Sequence, residues 1–172
     1  MKIIITTAAV AFCASFAAAD IVAGPIIAQQ DSDFSVRLIS SDADWTGELS
    51  WLSNIESEAS PVLLMTNKSS TAALPTQVGT VSAGEALYFQ YEITNGTHNT
   101  FRQDENEGAK QFKHEWTSEN TARLFVEDIK LPGGDADYND AIFEIAFTPV
   151  PTPGVLAMAA ISGGLIIKRR RN

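Results

Sequence analysis

The stretch "LFVEDIKLPGGDADYNDAIFEI", Leu124 to Ile145, reads as a strand, a polar loop and a second strand. Apolar and polar side chains alternate in "ARLFV" before the loop and in "AIFEIAF" after it. Successive side chains of a strand point to opposite faces, so this period of two marks half-buried strands. The signature recurs upstream. In "FSVRLI", Phe34, Val36 and Leu38 alternate with Ser35 and Arg37; in "LYFQYEIT", Leu87, Phe89, Tyr91 and Ile93 share a face. Turn chemistry separates the runs: "NKSS", "SAGE", "TNGT" and "LPGGD" supply Gly, Asn and Ser where positive φ or local side-chain bonds are needed. No helical period of useful length occurs between Asp20 and Pro149. The expected fold is all-β, an antiparallel β-sandwich of jelly-roll-like or Ig-like kind. Two segments fit the pattern less well. A short helix is expected over residues 51–58, and "RQDENEGAK", residues 102–110, reads as a solvated loop.

Between the two arms of the opening stretch, Asp135, Asp137 and Asn139 alternate and Asp140 follows directly. A hard cation such as Ca2+ takes about 6–8 oxygens at about 2.3–2.6 Å. Alternate side chains on a curled loop can converge on one point, and Gly133 and Gly134 permit the curvature. A hairpin joining the arms would bring Glu127 and Asp128 to the same loop. Five carboxylates so placed repel one another unless a cation offsets them. The expected metal ligands are therefore Glu127, Asp128, Asp135, Asp137, Asn139 and Asp140, and the expected ion is Ca2+. The plain alternative is an ion-free Asx-rich turn, in which Asp and Asn bond their own backbone. An EF-hand does not fit. Its sixth position would be Asp140 where Gly is needed, its twelfth Ala146 where a bidentate Glu is needed, and its flanks read as strands.

The same residues resemble the C-terminal motif of a bacterial extracellular family known as domain of unknown function 4114. That motif is an apolar strand, Glu-Asp, a Gly-rich turn, Asp-x-Asp-Tyr/Phe-Asn-Asp and a second apolar strand. The matching positions are Glu127, Asp128, Gly133, Gly134, Asp135, Asp137, Tyr138, Asn139 and Asp140. Upstream, "SAGEALYFQYEI" is similar to the family's preceding strand, so the resemblance runs from Val78 to Phe147. It implies a β-rich module of secreted and surface proteins, often followed by a sorting tail. It also implies Ca2+ binding and offers no catalytic residues.

Both ends of the chain read as export signals. Residues 1–19 combine Lys2, an apolar stretch and small residues at Ala17 and Ala19, the pattern of a secretory signal peptide cut before Asp20. The only cysteine, Cys13, lies inside it behind Phe12, which does not suit lipidation, so the mature protein has no disulfide. At the other end, a linker over residues 148–154 leads to an apolar run from Val155 to Ile167 and then to Lys168, Arg169, Arg170 and Arg171. The run is shorter than the roughly 20 residues of a full membrane span, and its basic end would stay cytoplasmic. The tail, with Pro151, Pro153 and Gly154, resembles the PEP-CTERM class of sorting signals, although Thr152 stands where Glu is usual. The resemblance implies transient membrane insertion and processing by an exosortase-type membrane protease. The expected organisation is a signal peptide (1–19), a sandwich domain (20–147), a linker (148–154) and a sorting tail (155–172).

All 21 acidic residues lie between positions 20 and 150, against seven of the 12 basic ones, a net charge of −14 for the body. Such a surface does not suit nucleic acid, which rewards basic proteins. His98 and His114 are the only histidines, too few for a zinc site, and both are expected at the surface. No G-x-S-x-G and no phosphate-binding Gly loop occurs. Trp45, Trp51 and Trp116 are expected to fill the core, the alternative being a sugar-stacking face. The expected function is a non-enzymatic structural or adhesion module of the cell surface or extracellular matrix. The alternative is a Ca2+-dependent carbohydrate-binding module, with extracellular polysaccharide or other matrix proteins as partners.

Overall fold

The computed structural model describes residues 20–53 and 60–151. The expected signal peptide, most of the expected helix at 51–58 and the tail with Pro153, Gly154 and the basic cluster lie outside them. Among the described residues, no helix is long and apolar enough to cross a membrane.

The strands are β1 (Ile26–Ile27), β2 (Ser32–Ser40), β3 (Gly47–Trp51), β4 (Val62–Thr66), β5 (Thr76–Val81), β6 (Ala86–Leu87), β7 (Phe89–Ile93), β8 (Thr100–Arg102), β9 (Phe112–Ser118), β10 (Thr121–Val126) and β11 (Ala141–Pro149). One 3-10 turn, Gly108–Gln111, precedes β9. Five strands form one sheet in the order β5-β2-β11-β10-β9, four form a second in the order β4-β3-β7-β8, and β1 pairs with β6. Every pairing is antiparallel. The expected all-β antiparallel architecture is what the chain adopts.

The period of two explains how the sheets meet. Phe34, Val36 and Leu38 of β2, Leu124 and Val126 of β10, and Phe143 and Ile145 of β11 are buried on one sheet; Leu49, Phe89, Tyr91 and Ile93 are buried on the other. Aromatic pairs join the two layers: Phe34 meets Trp51 edge-on at 5.1 Å, and Tyr91 meets Phe143 at 6.5 Å. All three tryptophans are partly buried and pack against this core. Gly47 explains the seat of Tyr91, because any Cβ there would overlap the tyrosine ring. On the outer face, Arg37 stands opposite Glu144 and pairs with it at 2.6 Å.

Three readings need correction. Trp51 ends strand β3 and is not helical. His114 is buried, not at the surface: it alternates inward with Phe112 along β9, and its Nδ1 lies 3.1 Å from the Gly24 carbonyl oxygen. Burial lowers its pKa. The stretch 102–110 is not wholly solvated, because Gln103 is buried and donates to the Gly24 carbonyl.

Candidate metal centre

Strands β10 and β11 run antiparallel with Val126 opposite Ala141, so residues 127–140 form a loop at one end of the sandwich. The alternation of β10 stops there. Val126, Glu127 and Asp128 are all buried, which turns two carboxylates inward at the end of the core. Glu127 is only 1 % exposed, and its Oε2 has no hydrogen-bond partner. A buried carboxylate oxygen without a donor is a costly arrangement in a native fold.

The loop then winds back over Glu127. Ala136 and Tyr138 take left-handed backbone conformations, with φ of 60° and 57°. Such conformations carry strain in non-glycine residues and concentrate at ligand sites. The tight curvature thus falls on these two residues rather than on Gly133 and Gly134. Gly134 serves close approach instead, since a Cβ there would strike Glu127 Oε1. The alternating Asp residues form successive Asx turns: the Asp137 amide donates to Asp135 Oδ1 at 3.5 Å and the Asn139 amide to Asp137 Oδ1 at 3.1 Å, while Asn139 Nδ2 also donates to Asp137 Oδ2 at 2.6 Å. The ion-free reading of the loop anticipated such bonds, and they coexist with the inward carboxylates.

Two sets of carboxylates are close enough to share an ion. Glu127, Asp135 and Asp137 form one, and Glu127, Asp128 and Asp140 the other, each with ligand atoms within 4.8 Å of one another. All five expected carboxylates are thereby brought together. Asn139 is adjacent: its Nδ2 donates to Asp137, which leaves its Oδ1, the atom that would face a cation, uncommitted by that bond. Among the described residues, none of the five makes an ion pair with a basic side chain.

The electrostatics follow from this burial. Desolvation, with the charges of Asp140 and Asp135, raises the Glu127 carboxyl to about 7, against the opposing pull of the Tyr138 and Ile129 amides. Asp128 is raised to about 6 by burial and then by Asp140; Lys68 offsets this only in part. Burial also raises Asp140, whose Oδ2 accepts from the Asp128 amide at 2.7 Å. Without a cation Glu127 and Asp128 retain protons above the ordinary carboxylate range, and Asp140 is shifted in the same direction. A bound metal ion would supply the missing positive charge.

Several supporting residues were not legible in the sequence. Gln111, fully buried at the end of the 3-10 turn, donates through Nε2 to the carbonyls of Glu127 and Ile129 at 3.0 and 2.7 Å. Its Oε1 accepts from the Leu131 amide at 3.0 Å. Ser41 Oγ donates to the Asp140 carbonyl at 2.8 Å, and Tyr138 Oη donates to the Lys110 carbonyl at 2.9 Å. Tyr91 comes from the opposite sheet: its hydroxyl is buried without a partner and lies in the field of Asp128 and Asp140. No sequence signal marks Gln111, which stands ahead of the largely polar strand β9, "FKHEWTS".

The family model described as "Domain of unknown function (DUF4114)" matches residues 59–148, just over half of the chain. The chain belongs to this family. No curated protein matches it. The DUF4114 match takes in β4 to β11 and the whole acidic loop but stops short of β2 and β3. Yet β2 lies between β5 and β11 in the larger sheet, so the folded unit extends beyond the DUF4114 segment.

Proposed function

We propose that this protein is a secreted, non-enzymatic structural or adhesion module of the cell surface or extracellular matrix, braced by Ca2+ at the loop between β10 and β11. The observation that carries the ion is Glu127: a buried carboxylate with an unpartnered oxygen, surrounded by four more acids and no basic partner among the described residues. Ca2+ is favoured over softer metals because every candidate ligand is oxygen and no Cys or His stands in either set. The ion joins the end of β10 to the loop that precedes β11, so binding stabilises the native state alone. At free Ca2+ one hundred times the dissociation constant, the gain is about 2.7 kcal/mol and the rise in Tm on the order of 10 °C. Calorimetric melting of the protein in millimolar Ca2+ and in chelator tests this. An unchanged Tm removes the ion from the reading.

Delivery rests on the two ends of the sequence. Residues 1–19 would direct export, and the tail from Pro151 to Arg171 would be cut by an exosortase-type protease. Mass spectrometry of the surface-released protein should find a terminus near residues 151–154. An intact Arg171 on that form contradicts the sorting step.

A further inference from the structure

We infer that the loop holds two cations side by side, with Glu127 shared between them. This rests on the proposed cation site and specifies its occupancy. The inner position is bounded by Glu127, Asp128 and Asp140, and the outer by Glu127, Asp135 and Asp137.

Geometry is the first argument. Ligand oxygens about 2.3–2.6 Å from one ion lie no more than about 5 Å apart. Each set meets that limit, and the sets overlap only at Glu127. The two positions also differ in their surroundings. Asp128 is buried and Asp140 half-buried, whereas Asp135 and Asp137 are exposed. On the core side stands Tyr91, whose hydroxyl is fully buried, has no partner and lies in the field of Asp128 and Asp140. The outer position faces solvent, where water can complete its shell.

Charge is the second argument. One divalent ion against five carboxylates leaves a local charge of −3, partly inside the protein; two leave −1. Lys113 lies over the Tyr138 ring, 3.9 Å from its centroid, and Lys68 donates to the Ala43 carbonyl, so neither is bonded to a member of the cluster. Glu127 is placed to serve both ions. The Gly134 backbone passes too close to Oε1 for any side chain to intervene, and Oε2 is buried without a donor. The inner ion is then the structural one, and the outer ion exchanges with the medium.

Native mass spectrometry of the purified chain during Ca2+ titration decides the matter. The chain's acidic residues all lie between 20 and 150, so the two ends add no carboxylate side chains of their own. Two Ca2+ per chain are expected at saturation. Asp137→Asn, at an exposed position, should bind one, and Glu127→Gln should weaken both. Saturation of the unaltered chain at one Ca2+ overturns the pair and leaves the single brace standing. No bound Ca2+ overturns both readings, and two ions retained by Asp137→Asn overturn the outer position.

Discussion

Glu127 sits where strand periodicity gives way to a site. One residue earlier, Val126 belongs to the core by simple alternation; Glu127 follows it into the interior and brings a charge. Its carboxyl is raised to about 7 from an ordinary 4.5, by burial first and by Asp140 and Asp135 next. The folded, metal-free protein therefore holds a proton that the unfolded chain has released. Its stability falls as pH rises from about 4.5 to 7 and levels off above that. Asp128 and Asp140 act in the same direction. His114 acts oppositely: burial lowers its pKa, so its contribution is lost as pH falls below about 6.5. That term is the same with and without metal. The Tm gain from Ca2+ should therefore be larger at pH 8 than at pH 5, and Glu127→Gln should flatten the difference. Scanning calorimetry at the two pH values reads this directly. An equal gain at both would show that the cluster does not exchange protons for metal.

At the scale of elements, the loop is held from outside itself. Gln111 ties down the carbonyls of Glu127 and Ile129 and the amide of Leu131, acting as a template for the chain as it leaves β10. Replacing it by Leu keeps the volume roughly but strands two carbonyls and an amide. Only the bond to the Glu127 carbonyl is fully buried, and a buried group left unsatisfied costs about 1–3 kcal/mol; the Ile129 carbonyl and Leu131 amide, part-buried, cost less. Gln111→Leu should lower the urea midpoint and weaken Ca2+ binding, because Glu127 and Asp128 lose their fixed backbone. A variant with unchanged stability and affinity would remove Gln111 from the positioning role. The strands themselves were legible, because alternation is a local property of "FSVRLI", "LYFQYEIT" and "AIFEIAF". The clamp was not, because its bonds join residues 16 to 20 positions apart through a single turn.

At the scale of the molecule, the sandwich is one cooperative unit that begins before the DUF4114 match. Strand β2 is an interior strand of the larger sheet, paired on both sides, and its Phe34 and Val36 are fully buried. A fragment of residues 59–148 loses this strand and β3, and with them the Phe34–Trp51 contact between the sheets and the glycine against which Tyr91 is seated. Such a fragment should show no cooperative thermal transition by circular dichroism, whereas residues 20–150 should melt as one. A cooperative melt of the fragment would contradict the role given to β2. The sequence alone determined the β class, the turns at Gly84 and Gly96 and the list of acids in the loop, since each depends on neighbouring residues only. The tertiary structure decided what sequence spacing cannot encode. It buried His114, seated Tyr91 over Gly47, left Glu127 Oε2 without a donor and divided five carboxylates into two sets around one glutamate. Burial and the distance between charges are properties of packed sheets, and the chain acquires them only when β2, β7, β10 and β11 come together.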